Sequence, residues 1–258
     1  MSLTPAPRRV KRGWMNLKVT RIIDETQDTK TLFFCDADED GRPWDYVAGQ
    51  YLTFRFDTVA EKPVVRSYTM SSSPRDVNSF AVTVKRVEQG LISNWLCDKV
   101  NVGDVLRARG PIGKFVYDPS RDRPELYMVG AGSGVTPFIS ILREYCDRAG
   151  SSSEVPAKLA LLVAYRSRED LILWQDIVSA CRHPNIKVVT TLTRDPAAGD
   201  DFWHGRPDES MLERFFVNAY ESATFMTCGP EAMMNLTRQV LLRHNVPEAH
   251  IKTESFFS

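Results

Sequence analysis

Hydrophobic and polar residues alternate with a period of two along the first half of the chain. Three runs show one apolar face each, formed by Leu17, Val19, Arg21 and Ile23, by Leu52, Phe54 and Phe56, or by Phe80, Val82 and Val84. Such alternation predicts half-buried strands. Turn-forming residues at 40–43, 61–63, 73–76 and 102–104 separate the runs, and a single helix is predicted over 92–99. Many short strands joined by turns predict an antiparallel Greek-key barrel.

The second half of the chain has a different rhythm. Apolar runs at 126–130, 158–164, 186–192 and 223–227 alternate with helical patterns at 135–146, 170–181, 208–216 and 231–244. Buried strands alternating with helices predict a Rossmann-like parallel sheet. The polar, proline-flanked stretch 118–124 separates the two patterns. We therefore predict two domains, a β-barrel over 13–118 and an α/β domain over 124–258.

Composition excludes several classes of protein. Lys plus Arg and Asp plus Glu each number 33 in 258 residues, so no bulk charge attracts nucleic acid or an anionic membrane. The apolar runs are too short to span a bilayer, and residues 1–12 are basic without an apolar core, which predicts a cytoplasmic protein. The five cysteines and four histidines have no metal-binding spacing, so no metal site is predicted.

The first candidate site is the sequence Arg-Ser-Tyr-Thr at 66–69. The guanidinium fork of Arg66 matches a phosphate, and Tyr68, two residues further along a strand, points the same way and can lie against a flat ring. Downstream, Gly90 and Ser93 open a helix whose amides favour an anion. The alternative for each motif alone is a solvated arginine and an ordinary helix cap.

The second candidate site is the glycine-rich turn at 130–137, between an apolar strand and a helix. Gly130, Gly132 and Gly134 would let a dinucleotide approach the backbone closely, and Pro137 suits the first helical turn. A plain strand-to-helix turn is the alternative.

Six motifs occur in an order that resembles the ferredoxin–NADP⁺ reductase superfamily, in particular the flavin reductase modules of multicomponent oxygenases. They are Gly-Gln-Tyr at 49–51, Arg-Ser-Tyr-Thr at 66–69, Gly-Leu-Ile-Ser at 90–93, Gly-Pro-Ile-Gly-Lys-Phe at 110–115, the glycine-rich turn at 130–137 and Cys-Gly-Pro at 228–230. The resemblance runs from about Trp14 to the C-terminus. It implies a six-stranded flavin barrel followed by a nicotinamide domain.

The resemblance also implies roles for the barrel residues. Arg66, with Gly90 and Ser93, would bind the flavin pyrophosphate, and Tyr68 would pack on the flavin. Ser67 would join this cofactor-binding set, and Thr69 would lie near the flavin N5. The pyrophosphate element favours FAD, although relatives of similar layout use FMN.

In the second domain, the resemblance places Thr136 beside the nicotinamide. Cys228, followed by Gly229 and Pro230, would face the nicotinamide C4 as an orienting group. A simple buried thiol is the alternative for Cys228.

The chain ends in an aromatic segment. By resemblance, Phe256 would shield the flavin, with Glu254 nearby as a catalytic residue beside Thr69 and Cys228. Alternatively, Phe256 and Phe257 would only pack against a further domain.

The choice of nicotinamide depends on two arginines. Arg166 and Arg194 follow the second and third strands of the α/β domain and could bind a 2′-phosphate, which favours NADPH. NADH-using relatives also carry arginines in these loops, so NADH stays open.

The predicted function is that of an FAD-dependent NAD(P)H oxidoreductase that passes single electrons to a protein such as ferredoxin, flavodoxin or an oxygenase component. Alternatives are a non-catalytic electron-relay subunit, a reductase of small molecules or free flavin, and a dehydrogenase without flavin. Cations could meet an acidic partner at two places, formed by Arg8, Arg9, Lys11 and Arg12 and by residues 121–123.

Overall fold

The N-terminal half forms a six-stranded antiparallel barrel. The computed structural model describes residues 13–38, 44–76, 79–148, 154–197 and 199–256. The predicted turn at 40–43, the cations at 8–12 and Phe257 lie outside these residues. The strands are β1 (Trp14–Thr26), β2 (Thr29–Asp36), β3 (Tyr51–Phe56), β4 (Val64–Thr69), β5 (Phe80–Lys85) and β6 (Val105–Ile112), in the order β4-β3-β6-β1-β2-β5. A bridge between Met70 and Val82 joins the two edge strands and closes the barrel. Helix α1 (Leu91–Asp98) connects β5 to β6.

The alternation predicted for the first strand is wrong beyond Val19, at both Arg21 and Ile23. The β1–β2 register shifts between Val19 and Arg21, which marks a β-bulge. Beyond the bulge Ile22 packs on the barrel core instead, and Arg21 is exposed with its guanidinium 4.1 Å from the centre of the Phe33 ring. The predicted faces of β3 and β5 are buried as expected.

The C-terminal half is an α/β domain around a parallel sheet, as predicted. Its strands are β7 (Glu125–Ala131), β8 (Lys158–Tyr165), β9 (Ile186–Leu192), β10 (Trp203–His204), β11 (Ala223–Cys228) and β12 (Ile251–Glu254), in the order β10-β9-β8-β7-β11-β12. Its helices are α2 (Thr136–Asp147), α3 (Trp174–Ala180), α4 (Glu209–Phe216) and α5 (Glu231–Arg243). One core lies on the α2 and α3 side of the sheet and another on the α4 and α5 side, so both faces are covered.

The helix predicted over 170–181 is broken in the structure. A short 3₁₀ turn occupies Arg168–Asp170, and α3 begins only at Trp174. Between them Ile172 and Leu173 are buried, and Leu173 has a left-handed backbone with φ of 55°. Burial of these two side chains therefore overrides the local helical pattern. Strands β10 and β12 were not predicted, because each is too short to show a period.

The two domains are joined by specific contacts. Ala48 and Phe115, both from the N-terminal half, belong to the core on the α2 side, and the Phe115 ring lies 5.9 Å from that of Phe138. Arg143 on α2 donates to the carbonyl of Ser71 at 2.6 Å, and Ser140 donates to the carbonyl of Ser72 at 2.7 Å. These hydrogen bonds hold the segment that follows β4 against α2.

Three observations on the described residues concern the predictions about a membrane, a protein partner and a metal. No helix among them is both long enough and apolar enough to cross a membrane. Arg123, one of the cations considered for partner binding, instead donates to the carbonyl of Tyr220 at 2.9 Å. No group of three or more His, Cys, Asp or Glu in the described ranges is arranged to hold a metal ion.

Candidate active site

A cleft of about 270 Å³ opens where β4, β5 and the start of α1 meet, and we call it the barrel cleft. Its walls contain every residue predicted for the flavin. The lining residues are Arg66, Ser67, Tyr68, Thr69, Thr83, Lys85, Val87, Gly90, Leu91, Ile92, Ser93, Ser133, Thr136 and Phe256. Ser133 and Thr136 come from the second domain, so the cleft lies at the domain junction.

Strand β4 presents an uncompensated cation and a neutral ring to the barrel cleft. Arg66 is exposed, donates to the neighbouring carbonyl of Val65 at 2.8 Å, and has no ion pair with any described carboxylate. The ring of Tyr68 packs edge-on against Phe54 at 6.0 Å. Burial raises the pKa of Tyr68 above its ordinary value, so the phenol stays neutral. A cation beside a flat neutral ring suits a phosphate joined to an aromatic system.

The start of α1 leaves its backbone amides without a side-chain cap. Gly90 is the N-cap residue and makes no capping bond. The Ser93 hydroxyl accepts from the Val87 amide at 3.1 Å, so it bonds to its own turn. A side chain at Gly90 would place its Cβ 2.6 Å from Ser93 Oγ. Uncapped amides at the positive end of the helix, close to Arg66, are an arrangement that fits a pyrophosphate.

A second cleft of about 550 Å³ lies at the carboxyl ends of the parallel strands, and we call it the sheet cleft. Ligands of open α/β sheets bind at this edge. The lining residues are Lys85, Ala131, Gly132, Ser133, Gly134, Ala164, Tyr165, Arg166, Asp170, Thr193, Arg194, Arg206, Pro207, Gly229, Pro230, Ala232, Met233, Leu236 and Phe256.

The glycine-rich turn packs closely on the end of β11. A Cβ at Gly134 would lie 2.3 Å from the Cys228 carbonyl oxygen, so only glycine allows this approach. Gly132 has φ of 53° and nothing within 4 Å of an added Cβ, which leaves its backbone open to the sheet cleft. Gly130 instead packs against the Phe138 ring, 3.1 Å from an added Cβ, and does not line the cleft. An open glycine turn at this edge fits a dinucleotide.

The predicted nicotinamide residues are only partly brought together. Gly132, Gly134, Arg166, Arg194, Gly229 and Pro230 line the sheet cleft. Thr136 lines the barrel cleft and donates to the Ser133 carbonyl at 2.9 Å. Gly130 and Cys228 lie behind the surface of both clefts.

Cys228 and Glu254 are direct partners in the register of β11 and β12. Burial, and then the charge of Glu254, raise the pKa of the Cys228 thiol, which therefore stays protonated at neutral pH. Burial also raises the pKa of Glu254 to about 7. Its Oε2 atom is buried without a hydrogen-bond partner among the described residues. This pair supplies a protonated thiol and a carboxyl that exchanges a proton near neutral pH.

The two clefts are continuous, because Lys85, Ser133 and Phe256 line both. Phe256 is 37% exposed at this junction. Lys85 pairs with Asp28 at 2.5 Å and lies 3.6 Å from Asp170 of the second domain. The sequence did not predict that Lys85, Ser133 and Arg206 line the clefts. Their position there depends on how distant segments of the chain meet in the fold.

Two family descriptions match the chain. The family described as "Oxidoreductase FAD-binding domain" matches residues 16–117, and the family described as "Oxidoreductase NAD-binding domain" matches residues 128–239. The first range contains the barrel cleft motifs, and the second contains the glycine-rich turn.

Similar proteins include reductase components of monooxygenases. The chain is 32% identical over 244 residues to the ferredoxin reductase component of 3-ketosteroid-9-alpha-monooxygenase from Rhodococcus rhodochrous, covering 94% of this chain and 65% of that protein. It is 31% identical to the glycine betaine monooxygenase reductase subunit of Chromohalobacter salexigens, covering 95% of this chain and 64% of that protein. The chain therefore spans slightly less than two thirds of the length of these relatives.

Solved structures share the fold. The FAD/NAD-binding domain of the nitric oxide dioxygenase of Vibrio cholerae superposes with a TM-score of 0.80 at 24% identity, over 93% of this chain and 98% of that chain. The Amycolatopsis cytochrome P450 reductase GcoB superposes with a TM-score of 0.79 at 25% identity, over 96% and 72%. The two domains and the joined clefts correspond to an FAD-binding and an NAD-binding domain of the kind found in oxidoreductases. The chain belongs to the ferredoxin–NADP⁺ reductase superfamily.

Proposed function

We propose that this chain takes electrons from NAD(P)H through FAD and passes them one at a time to a separate protein. The continuity of the barrel cleft and the sheet cleft carries the proposal, because hydride transfer requires donor and acceptor rings in near contact. FAD supplies the chemistry, since a flavin accepts a two-electron hydride and releases electrons singly. We assign residues 13–118 to FAD and 124–258 to the nicotinamide.

The barrel residues are proposed to hold FAD. Arg66 and the uncapped start of α1, including Gly90 and Ser93, would bind the pyrophosphate from two sides. The Tyr68 ring would lie against the flavin, with Ser67 and Thr69 on the same strand. The exposed guanidinium without an ion pair among the described residues and the uncapped helix amides support this assignment, because both are donors that bind an anion well.

The sheet cleft is proposed to hold NADPH in preference to NADH. Three exposed arginines line it, namely Arg166, Arg194 and Arg206. Asp170 also lines this cleft, but its carboxylate lies 3.6 Å from the Lys85 ammonium and so offsets that charge and not the charge of the arginines. A cationic cleft favours a donor with an additional phosphate.

Cys228 and Glu254 are proposed to orient the nicotinamide from behind the cleft surface. The raised pKa of the thiol supports a positioning role and not a nucleophilic one. Phe256 would shield the flavin until the nicotinamide binds, which its place at the junction of the clefts supports.

The proposed acceptor is a ferredoxin, flavodoxin or oxygenase component. The monooxygenase reductases among the relatives support an oxygenase component in particular. A cytoplasmic location stays a prediction.

The test begins with the visible spectrum of the purified protein, followed by anaerobic titration with NADPH and with NADH. We expect flavin absorbance that either donor bleaches, with higher kcat/KM for NADPH, and subsequent reduction of an added oxygenase ferredoxin. A colourless protein contradicts the flavin assignment. Flavin that neither donor bleaches favours a relay subunit, and higher efficiency with NADH overturns the donor preference.

A further inference from the structure

A buried row of hydroxyl groups leads from the barrel cleft to a carboxylate at the domain junction. Ser71 Oγ lies 2.9 Å from Thr83 Oγ1, and Thr83 Oγ1 lies 2.8 Å from Thr31 Oγ1. Thr31 in turn donates to Glu25 Oε1 at 2.7 Å. Thr83 lines the barrel cleft, whereas Ser71 and Thr31 are fully buried and Glu25 is half-buried.

The strand register explains why these hydroxyls meet. Thr31 on β2 is the direct partner of Thr83 on β5. The antiparallel bridge between Met70 and Val82, continued by one residue, brings Thr83 opposite Thr69. Cross-strand partners share a face of the sheet, so the row begins beside Thr69 at the cleft. Buried hydroxyls are costly unless hydrogen-bonded, and this row satisfies each of them.

Each hydroxyl of the row donates to the next group along it, from Ser71 towards Glu25. A hydroxyl carries one proton and can accept at two lone pairs. Because Thr31 donates its proton to Glu25, Thr83 must donate to Thr31. Ser71 then donates to Thr83, since its other acceptor, the Ala81 carbonyl, is 3.5 Å away. Thr83 keeps one lone pair that can accept a proton from the cleft.

Glu25 differs from the other carboxylates of its hairpin. Asp24 pairs with Lys30 at 3.2 Å, and Asp28 pairs with Lys85 at 2.5 Å. Glu25 has no ion pair among the described residues. Its carboxylate can therefore accept a proton without loss of an ion pair. From the second domain, Tyr165 lies near Glu25. Its hydroxyl donates its proton to the Ile172 carbonyl at 2.8 Å and therefore cannot donate it to Glu25.

Turnover of the proposed reaction must release a proton. NAD(P)H gives up two electrons and one proton in becoming NAD(P)⁺, and two one-electron acceptors take only the electrons. We propose that Thr83, Thr31 and Glu25 carry this proton from the barrel cleft to solvent. Thr83 accepts it as its own proton passes to Thr31, the Thr31 proton passes to Glu25 Oε1, and Glu25 releases it. This inference rests on the proposed function.

The test compares Thr83→Val, Thr31→Val and Glu25→Gln with the wild type. Thr83→Ser restores the hydroxyl. Thr224→Val is the matched control, because Thr224 is a fully buried threonine that lines neither cleft and whose hydroxyl accepts from the Arg123 amide at 3.0 Å. Anaerobic bleaching of the flavin by NADPH measures the hydride step. Ferricyanide then oxidises the reduced protein in weakly buffered solution, and an indicator dye follows the proton.

We expect bleaching to change by less than about twofold in Thr31→Val, Glu25→Gln and the control. Because Thr83 lines the barrel cleft, proton release in its variants is compared as a ratio to their own rate of bleaching. Proton release and reoxidation should fall by about 10²-fold in the three row variants, the lower end of what a positioned proton-transfer group contributes. Thr83→Ser and Thr224→Val should behave as the wild type. Wild-type rates of proton release in the row variants overturn the relay, whereas a wild-type flavin that NADPH and NADH fail to bleach contradicts the proposed function instead.

A second measurement does not depend on turnover. In protein reduced with dithionite, the ¹³C signal of the Glu25 carboxyl should shift relative to the oxidised protein, and Thr83→Val should abolish that shift. The same shift in both proteins overturns the relay, even if the variant reacts slowly.

Discussion

At the scale of single residues, Arg66 is exposed, lines the barrel cleft and has no ion pair with any described carboxylate, and we propose that it binds the FAD pyrophosphate. We expect Arg66→Ala to raise the Kd for FAD about 10- to 100-fold, because a hydrogen bond to a charged group is worth about 1.5–3 kcal/mol. Fluorescence titration of the deflavinated protein measures this.

The control for Arg66 is Arg55→Ala on the neighbouring strand. Arg55 pairs with Asp57 at 2.7 Å and does not line the barrel cleft. It should retain wild-type affinity for FAD. An equal loss of FAD affinity in both variants argues against a specific role for Arg66.

Glu254 should make stability depend on pH. Its pKa is about 7 in the folded protein against an ordinary 4.5, so between these values the folded carboxyl holds a proton that the unfolded one releases. The free energy of unfolding should therefore fall as pH rises from about 4.5 to 7, by at most about 3 kcal/mol, an upper limit that solvent screening reduces. Urea unfolding at pH 5 and pH 8 measures the loss.

The Glu254→Gln variant should lack this part of the pH dependence. Glu248→Gln is the matched control, because Glu248 is close in sequence but pairs with Arg238 on the surface. If Glu254→Gln loses as much stability between pH 5 and pH 8 as the wild type, the pKa assigned to Glu254 is wrong.

Short motifs allowed many of the residues that line the two clefts to be predicted, since Arg66 and Gly134 belong to local patterns whose spacing is fixed by one strand or turn. Lys85 and Ser133 could not be predicted in this way. Each lies at the junction because two distant segments meet there, and neither belongs to a local pattern that indicates a ligand.

At the scale of elements, the glycine-rich turn depends on its contact with β11. We expect Gly134→Ala to destabilise the α/β domain by about 1–3 kcal/mol, the usual effect of overpacking, because its Cβ would lie 2.3 Å from the Cys228 carbonyl oxygen. Affinity for NADPH should fall as the turn moves. Thermal unfolding and NADPH titration measure the two effects.

Gly132→Ala separates packing from backbone strain in the same turn. The Cβ added at position 132 has no other atom within 4 Å. The free energy of unfolding should therefore fall only by the strain of the positive φ, about 1 kcal/mol. A Gly134 variant as stable as the Gly132 variant contradicts the packing argument.

Periodicity predicted the long elements well and the short ones poorly. Strands β7 and β8 are apolar runs after their first residue, and α5 has a clear helical pattern. Strand β12 has four residues, and its place follows from pairing with β11. Helix α3 is shortened because Ile172 and Leu173 enter the core, a tertiary effect that no local pattern shows.

At the scale of the whole molecule, Arg143 links the barrel to the second domain. It donates to the Ser71 carbonyl and pairs with Asp176 at 2.6 Å. We expect Arg143→Ala to weaken the domain contact by about 1.5–3 kcal/mol, the worth of hydrogen bonds to a charged group. Calorimetry should show one unfolding transition for the wild type and two for the variant, and flavin bleaching should be slower in the variant.

Arg148→Ala is the control for this contact. Arg148 follows the last residue of α2 and pairs with Glu144 and Glu154 of its own domain. It should leave domain coupling intact. Loss of coupling in both variants, or in neither, contradicts the role given to Arg143.

The two-domain arrangement was predictable, because the change of rhythm near residue 118 reflects two different sheets. The orientation of the domains was not predictable. It depends on buried contacts such as Phe115 against Phe138, between residues whose proximity no spacing in the sequence indicates.

The register between β11 and β12 limits which lengths the segment before β12 can adopt during evolution. Surface loops generally tolerate insertions and deletions. Here, loss or gain of a single residue in 244–250 would slide β12 along β11 and turn its side chains to opposite faces. The Glu254 carboxyl would then leave Cys228, and the hydroxyl of Thr253 or Ser255 would replace it. Homologous sequences should accordingly keep the length of this mostly exposed segment constant while its exposed residues vary and Val246 stays apolar.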